Sequence, residues 1–535
     1  MNEFSYNRLA KFMLCIIKFI VCFYLYNKIN MKIQKLNMKR RLKMKRKNLL
    51  KIVFLCSILF VSGVFAKQVF ASQSKSKKTL NMTINGYDVI LSKEGIFNSQ
   101  NVKQLNSTNQ NSITIKNPKS VNSIKIDDKE IDVNDKSTFK LKEINNSSKI
   151  KISVMYNGES SYRNYYINSL SKDFPKYTVT ANSPYDGDYY LTTHNEEHNF
   201  VFKLNNQGNI IFYKEVESNP FDFKKMTTDN GKIRYGYLLQ DKDSTKRISA
   251  VGYSPTYLVI LDENYNEINK ITMEKSKSIE SGTELENHDF IYIDDNHYIV
   301  SSYQKTKATN IPSNLSKGNS PYVVNSVLQE IKDGKVIWQW ESIDHENLYA
   351  ESVEQNNFSE KSDTALDYVH FNSMTIDPKD GNLICSFRNL DEVIKLDRKT
   401  GEIIWILGGL GDEFNLTDNQ KFSRQHNARI TDDGYITLYD NGVKNKSTRV
   451  VKIKLDEENK KVTEYHSYDI NDYYKYMGSV QEIDSKKDVF LVGTGGKAGE
   501  KQDLVAMEKD FANDKVYFRF SFKSGESMYR CYKIK

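Results

Sequence analysis

Asp333-Gly-Lys-Val-Ile-Trp-Gln-Trp340 is a polar turn followed by a short strand of β-branched and aromatic residues. The same pattern recurs in Gln207-Gly-Asn-Ile-Ile-Phe-Tyr213 and in Thr400-Gly-Glu-Ile-Ile-Trp-Ile-Leu407. Each segment closes a longer unit that also contains an apolar strand and a turn rich in Gly or Asp. Units of this kind, at a pitch of roughly 40 to 60 residues, are typical of the four-stranded blades of a β-propeller.

The repeating units occupy the larger, C-terminal part of the chain. Six are predicted, with the bounds 186–216, 222–275, 285–342, 368–409, 424–470 and 477–535. The sequence therefore predicts a six-bladed β-propeller over 180–535. Trp338, Trp340 and Trp405 fall in closing strands and are expected in the core of the blades. The polar segment 342–366 is expected to be an insertion on the rim.

A region of shorter units precedes the repeat. Between Leu80 and Ile167, segments such as Ser112-Ile-Thr-Ile115 alternate between polar and apolar residues and are separated by turns rich in Asn, Asp, Ser and Lys. About seven short strands in such a region fit a small β-sandwich, predicted at 79–175. This region contains no histidine, so a structural or docking role is expected. The fold class predicted for the whole chain is all-β.

Residues 1–71 have the features of a secretory signal peptide. A basic stretch, Met38 to Lys47, precedes the apolar run Ile52 to Phe65, and small residues follow at Ala66 and Ala71. The protein is therefore expected to be secreted or held at the cell surface, and an uncleaved leader would act as a membrane anchor. Since a second apolar stretch lies still further upstream, translation is expected to start at a later methionine.

The formal charge of +9 is concentrated in this leader. Residues 1–66 contain 14 Lys and Arg and one acidic residue, which leaves 63 basic and 67 acidic side chains and a net charge of −4 for the remainder. Nucleic-acid binding then loses its electrostatic basis, and no nucleic-acid partner is expected. Only Cys385 and Cys531 lie beyond the leader. They do not have a metal-ligand spacing, and free thiols are expected in a chain of this size.

Three histidines stand at the same point of a recurring pattern. The stretches are His288-Asp-Phe-Ile-Tyr-Ile-Asp-Asp-Asn296, His370-Phe-Asn-Ser-Met-Thr-Ile-Asp-Pro-Lys-Asp-Gly381 and His426-Asn-Ala-Arg-Ile-Thr-Asp-Asp-Gly434. Equivalent positions of successive blades lie at equivalent places around the axis, so the three imidazoles are expected to converge. Arg388 is expected to join them across a hairpin. Asn372 shares a strand face with His370.

Three histidines and an arginine permit two chemistries. A zinc or copper ion could use the imidazoles as ligands, but an arginine would oppose its charge, and three such ligands normally have carboxylate partners. An anionic substrate could instead be bound by the planar fork of Arg388, with one histidine as nucleophile. The second interpretation is preferred, so no metal is expected.

Several short motifs give the chain a resemblance to a known family over about residues 80–535. They are His370-Phe-Asn-Ser-Met374, Ser386-Phe-Arg388, Gly401-Glu-Ile-Ile-Trp-Ile-Leu-Gly-Gly409, Arg424-Gln-His-Asn-Ala428, Met477-Gly-Ser-Val-Gln481 and Tyr529-Arg-Cys-Tyr532. In this order the chain resembles the bacterial arylsulfate sulfotransferases, secreted propeller enzymes that use no nucleotide sulfate donor (PAPS). The resemblance implies an enzyme without a cofactor that moves a sulfuryl group from a phenolic sulfate ester to an acceptor phenol.

The resemblance also implies roles for individual residues. His426 would be the nucleophile that becomes transiently sulfated, in a ping-pong reaction. The residues around the sulfuryl group would be Arg388, His288, His370, Asn372 and Thr494. A homodimer is implied as well. The close cysteine pair of the family's periplasmic members cannot be reproduced by Cys385 and Cys531, so dependence on a disulfide is not implied.

Two other functions remain open from the sequence. One is a non-catalytic extracellular propeller that binds a polymer or protein and in which the histidines are structural. The other is a metal- or quinone-dependent propeller oxidoreductase, although no Asp/Glu cluster with calcium-ligand spacing lies near the histidines.

Overall fold

The computed structural model describes residues 82–84, 87–89, 111–115, 121–126, 128–131, 138–141, 149–168, 173–194, 197–245, 248, 252–360, 363–497 and 499–535. All of them belong to the second of two compact units, Leu80–Lys535. The predicted leader, 1–71, lies outside the described residues. Within these ranges, none of the helices has the length and apolar character needed to cross a membrane.

The N-terminal region consists of two four-stranded antiparallel sheets. The first contains, in spatial order, β2 (Tyr87–Val89), β1 (Met82–Ile84), β3 (Asn111–Ile115) and β6 (Thr138–Leu141); the second contains β5 (Lys129–Ile131), β4 (Val121–Ile126), β7 (Lys149–Tyr156) and β8 (Arg163–Asn168). Ile124, Ile152 and Val154 are buried. The short strands predicted from alternation are thus present as an all-β region.

From Tyr177 onward, the described residues form six successive antiparallel sheets. The first two sheets are built on β10 (Asp188–Thr192), β11 (Asn199–Leu204) and β12 (Ile210–Val216), and on β13 (Pro220–Thr227), β14 (Ile233–Gln240), β15 (Thr256–Leu261) and β16 (Glu267–Ile271). The third and fourth are built on β17 (Ile291–Asp294), β18 (His297–Lys307), β19 (Tyr322–Lys332) and β20 (Lys335–Glu341), and on β21 (Phe371–Ile376), β22 (Leu383–Phe387), β23 (Glu392–Leu396) and β24 (Ile403–Gly408). The fifth and sixth are built on β25 (His426–Ile430), β26 (Tyr435–Asp440), β27 (Arg449–Asp456) and β28 (Lys461–Asp469), and on β29 (Ser479–Asp484), β30 (Val489–Gly493), β31 (Ala506–Asp510) and β32 (Lys515–Phe522). Each sheet falls on one of the six predicted units.

Local sequence explains the hairpins of these sheets. Asp333 and Gly334 have φ values of 52° and 70° and form the two-residue turn between β19 and β20, where positive φ at both positions matches the twist of the strands. The closing strands β12, β20 and β24 are the edge strands of their sheets. Middle strands such as β22 and β30 are buried along their whole length, because both of their faces are covered. Consistent with their predicted core position, Trp338, Trp340 and Trp405 are buried.

The first and last sheets exchange strands at the two ends of the repeat. The first sheet has three strands of its own, and its fourth is β33 (Tyr532–Ile534), which pairs with β10. A further strand, β9 (Tyr177–Ala181), pairs with β32 of the last sheet. The unit predicted at 477–535 therefore gives its final strand to the first sheet, and β9 lies across the boundary predicted at 180. Pairing between distant segments of the chain leaves no local pattern in the sequence.

Among the residues that the structure describes, helices are few and short. They are α1 (Ser313–Ser316), α2 (Asn347–Glu351) and the 3-10 turns Ser342–Asp344 and Arg388–Leu390. The first strands of neighbouring sheets contact one another, as β21 does with β25 and β25 with β29. The residues where these strands begin are therefore brought together.

Candidate active site

The three recurring histidines lie at the start of the first strands of three successive sheets. His288 precedes β17, His370 precedes β21 and His426 is the first residue of β25. Their rings meet, with centroids 5.0 Å apart for His288 and His370 and 6.0 Å apart for His288 and His426. All three side chains are buried. His370 has a φ of 52°, a rare conformation for a residue with a Cβ and one that is common where function constrains the backbone.

Two of the three imidazoles are held by carboxylates. Nδ1 of His370 lies 2.5 Å from Oδ2 of Asp367, and Nδ1 of His288 is hydrogen-bonded to Oε2 of Glu286. Ser301 donates a hydrogen bond of 2.5 Å to the other oxygen of Glu286. These carboxylate partners were not predicted from the sequence. Carboxylates two and three residues upstream of a histidine were the available signal.

His426 has a different partner. Its Nδ1 lies 2.6 Å from the carbonyl oxygen of Gly478. A carbonyl oxygen only accepts hydrogen bonds, so Nδ1 of His426 carries the proton and Nε2 keeps a lone pair. Gly478 adopts a φ of 98°, and a Cβ there would lie 2.3 Å from the ring of Tyr439. Only glycine can therefore place this carbonyl against His426 without strain.

A tyrosine from the C-terminal segment spans two of the rings. The Tyr529 hydroxyl donates to the carbonyl oxygen of His288 at 3.1 Å and lies 3.5 Å from Nε2 of His426. Burial raises the pKa of Tyr529 well above its usual value. It therefore stays a phenol, which donates its one proton to the His288 carbonyl and places its oxygen beside Nε2 of His426.

The site keeps two of its histidines uncharged. Burial, the positive charge of Arg530 and the neighbouring His288 hold the pKa of His426 well below its usual value of 6.5. Burial also lowers the pKa of His288, although Glu286 opposes this effect. Near neutral pH the His426 imidazole is therefore a free base.

Arg388 is attached to this group through its backbone. Its N–H donates to the carbonyl oxygen of His370 at 2.8 Å. In the guanidinium, Nη1 donates to Oε2 of Glu354 at 3.0 Å and to Oδ1 of Asn389 at 2.5 Å. Within the described part of the chain, Nε and Nη2 have no hydrogen-bond partner. The edge formed by these two donors suits a planar, bidentate anion.

Glu354 belongs to the polar segment predicted as a rim insertion and holds a second arginine as well. Its Oε2 also accepts a hydrogen bond of 2.6 Å from Nε of Arg424. Arg424 in turn pairs with Asp391 at 2.6 Å. One carboxylate oxygen thus ties two arginines together beside the histidines.

Asn372 and Thr494 are engaged with the backbone. The Asn372 amide donates to the carbonyl oxygen of Gln425, the residue before His426, at 2.8 Å, while its Oδ1 is buried without a partner among the described residues. The Thr494 hydroxyl donates to the carbonyl oxygen of Leu504 at 2.8 Å. Asn372 is therefore placed to brace the entry to β25. Thr494 is linked to the site through Tyr439, whose hydroxyl donates to the Thr494 carbonyl.

Cys385 and Cys531 are free and buried. Burial raises the pKa of both thiols, which keeps them protonated and unreactive.

Comparisons with known proteins place this geometry in context. Residues 238–509 match the family model described as arylsulfotransferase (ASST). Among solved structures, a protein of unknown function from Bacteroides caccae is 11% identical, covers 66% of this chain and 100% of its own, and has a TM-score of 0.39. The periplasmic gluconolactonase of Pseudomonas aeruginosa is 11% identical, with coverages of 64% and 82% and a TM-score of 0.34. A catalytically inactive virginiamycin B lyase from Staphylococcus aureus, with quinupristin, is 9% identical, with coverages of 65% and 99% and a TM-score of 0.29. Curated protein sequences yielded no match.

Proposed function

We infer the function of this chain from one premise: it belongs to the arylsulfotransferase family, and it is therefore a sulfotransferase. We propose that it moves a sulfuryl group from a phenolic sulfate ester to an acceptor phenol. The group would rest on His426 between the two steps, in a ping-pong reaction. The proposal rests mainly on one observation: Nδ1 of His426 is hydrogen-bonded to a backbone carbonyl, whereas Nδ1 of His370 and of His288 is hydrogen-bonded to a carboxylate.

This difference in Nδ1 partners separates a candidate nucleophile from two candidate acid–base groups. His426 donates from Nδ1 to a backbone carbonyl and so holds a lone pair at Nε2. His370 and His288 donate from Nδ1 to Asp367 and Glu286. A carboxylate in this position orients the ring and stabilises the imidazolium form that arises during proton transfer. His426 is thus suited to attack, and the other two are suited to carry protons.

In the first half-reaction Nε2 of His426 forms a bond to the sulfur of the donor. The bond between sulfur and the aryl oxygen breaks, and its electron pair leaves with the phenolate. The phenolate receives a proton from Nε2 of His370 in its imidazolium form, because the uncharged His288 donates its Nδ1 proton to Glu286 and holds a lone pair at Nε2. The phenol departs, and a sulfohistidine remains on His426.

In the second half-reaction an acceptor phenol takes the place of the first. The histidine that lost its proton now removes the phenolic proton. The phenolic oxygen forms a bond to sulfur while the bond between sulfur and Nε2 of His426 breaks. His426 regains its lone pair, and the aryl sulfate product leaves.

Charge on the non-bridging oxygens must be stabilised throughout, as in phosphoryl transfer. The free Nε and Nη2 edge of Arg388 would bind two of these oxygens. Asn372, which donates one N–H of its amide to the carbonyl oxygen of Gln425, would border the same group with its second N–H. Thr494 would act at a distance, by supporting Tyr439 under Gly478. In this reaction the donor ester itself supplies the sulfuryl group, so neither a nucleotide donor nor another cofactor is needed.

The architecture proposed for this enzyme is a six-bladed propeller preceded by a β-sandwich. Six sheets of at least four strands and the pairing of β33 with β10 support the ring. The two N-terminal sheets support the sandwich. We further propose an exported protein, held by its leader if that is not cleaved, and a homodimer. N-terminal sequencing of the exported protein tests the export, with a start after Ala66 or Ala71 expected.

Incubation of the purified protein with 4-nitrophenyl sulfate and phenol tests the proposed reaction. Nitrophenol release that depends on phenol, that persists with a chelator and that is lost in His426→Asn supports it. If the protein never releases nitrophenol and its His426→Asn variant binds a target as well as the wild type does, the protein is a binding module. Loss of turnover with the chelator, restored by metal, would indicate a metal-dependent enzyme.

A further inference from the structure

A cluster of charges, most of them buried, lies beside His288 and His426. We call it the charge cluster, and its members are Asp222, Lys224, Asp289, Arg429 and Arg530. Its ion pairs join Arg530 to Asp222 at 2.9 Å and to Asp289 at 3.5 Å, Lys224 to Asp222 at 2.6 Å and to Asp289 at 3.0 Å, and Arg429 to Asp289 at 2.7 Å. Asp222 and Lys224 lie on β13 and Arg429 lies on β25, whereas Asp289 and Arg530 lie just before β17 and β33, so the ion pairs connect several sheets.

The cluster contains one more positive than negative charge. Although burial opposes the charged form, Asp222 and Asp289 raise the pKa of Lys224. Burial raises the pKa of Asp289, but Arg429, Lys224 and Arg530 outweigh it and lower the pKa overall. Burial likewise raises the pKa of the adjoining Tyr532, which stays neutral. Three cations therefore face two carboxylates.

Arg530 is the most deeply buried of the three cations. Lys224 and Arg429 line a cavity of about 260 Å³ and have partly exposed side chains, whereas the Arg530 side chain has 0% exposure. Its Nε, also buried, has no partner among the described residues. An unbalanced charge and an unpaired donor are both costly away from water. A bound anion would satisfy both.

Arg530 is adjacent to the catalytic group on several sides. Its guanidinium carbon lies 4.9 Å from the ring centre of Tyr529, the residue that spans His288 and His426. Its Nη2 donates to the carbonyl oxygen of Asn372 at 2.5 Å. Asp289, its partner in the charge cluster, directly follows His288. The surplus charge therefore acts on the space where the sulfuryl group would lie.

We propose that Arg530 is a positioning residue for sulfuryl transfer, whose surplus charge draws the anionic sulfate ester onto the histidines and keeps His426 in its uncharged, attacking form. This inference rests on the proposed function. The groups that face His426 are Arg530 and the rings of His288, His370 and Tyr529, with Glu286, Asp222 and Asp289 behind them. Of these, only Arg530 is a permanent cation, so its removal should have the largest effect on the charge of His426.

Two substitutions of opposite sign test this proposal. Arg530→Met removes the surplus charge, so the pKa of His426 should rise and the acid limb of kcat/KM should move to higher pH. Asp222→Asn adds a surplus charge, so the acid limb should move to lower pH and the donor KM should fall. Asp222 has a φ of 54°, which asparagine tolerates well, so this variant should fold even if Arg530→Met does not. The expected change in donor KM is about tenfold, the equivalent of a charge-assisted hydrogen bond.

Arg398→Met is the matched control. It removes a bidentate ion pair with Glu330, at 2.7 Å and 2.6 Å, that does not involve the three histidines. Its pH profile should match that of the wild type. If Arg530→Met and Asp222→Asn lower kcat/KM to the same extent and neither shifts the acid limb of the pH profile, Arg530 has only a structural role and the proposal is overturned.

Titration of His426 by NMR separates this inference from the proposed function, because it needs no turnover. Opposite shifts of the His426 pKa in the two variants support the role of Arg530 in setting the histidine charge even in a protein without transferase activity. An active wild type in which Asp222→Asn leaves the His426 pKa unchanged overturns the inference alone.

Discussion

The carbonyl oxygen of Gly478 lies 2.6 Å from Nδ1 of His426. This contact fixes the tautomer of one histidine in a group whose other two members are held by Asp367 and Glu286. The same side-chain type thus occurs in two electrostatic settings within one site. In the proposed mechanism this difference suits His426 to attack and the carboxylate-held histidines to proton transfer.

The two carboxylates should matter for proton transfer. Asp367→Asn and Glu286→Gln would remove the group that stabilises each imidazolium, and at least one of them should lower kcat by about a hundredfold or more, the usual contribution of general acid–base catalysis. The loss should be greater with phenyl sulfate than with 4-nitrophenyl sulfate, because nitrophenolate leaves without a proton. Steady-state kinetics with both donors measures this difference.

Glu330→Gln provides the control for this comparison. Glu330 forms the same kind of carboxylate–imidazole pair, with His297 at 2.5 Å, but this pair lies outside the proposed active site. Equal losses for both donors in Asp367→Asn and in Glu286→Gln would rule out the proton-transfer role.

Arg388→Lys should lower kcat/KM by roughly ten- to a thousandfold, the range seen when a donor to a developing anion is lost. Lysine keeps the charge but has no planar edge with two parallel donors. Because Nη1 is already bound to Glu354 and Asn389, the substitution also frees both of these partners. Kinetics with a series of donor concentrations measures the effect, and an unchanged kcat/KM would remove Arg388 from the site.

Glu354→Gln should weaken the orientation of Arg388 and Arg424, since one oxygen of Glu354 binds both. The expected result is a loss in kcat/KM of about tenfold, comparable to one charge-assisted hydrogen bond. Glu360→Gln is the control, because Glu360 lies in the same segment and contacts Asn357 instead of an arginine. Equal kinetics for the two variants would refute a positioning role for Glu354.

The pH dependence should reflect the environment of His426. Its pKa is held well below 6.5 by burial, Arg530 and His288. Protonation blocks the lone pair, so activity on the acid side is retained until the pH falls through that lowered pKa. We expect kcat/KM to stay level as the pH falls through 6.5, where an ordinary histidine would gain a proton. An acid limb centred at or above 6.5 would contradict this environment.

Much of this arrangement could be predicted from the sequence, because the signals were local and repeated. Turn chemistry at Asp333-Gly334 located the closing hairpins, and equivalence among repeats brought His288, His370 and His426 together. The six predicted units coincide with six sheets. Local signals do not extend to partners far apart in the chain, which explains why the pairing of β33 with β10 was missed.

The missing parts of the site have the same cause. Arg530 contacts Asp222 and Asn372, which lie 308 and 158 residues away in sequence. The motif Tyr529-Arg-Cys-Tyr532 contributes to the family resemblance, but nothing in it shows that Arg530 is buried among charges that do not balance. Glu286 and Asp367 are closer to their histidines in sequence, but this spacing was only a weak signal, because carboxylates are common in loops and only the folded structure shows the rings bound to them.

The most direct test of the whole account is the mass of the protein after exposure to donor alone. With 4-nitrophenyl sulfate and no acceptor, we predict a protein heavier by one sulfuryl group, with the modification on His426 in the digested peptide and absent from His426→Asn. Addition of phenol should remove it and release phenyl sulfate. An active enzyme that carries no label at any time and gives intersecting rather than parallel steady-state lines would contradict transfer through His426.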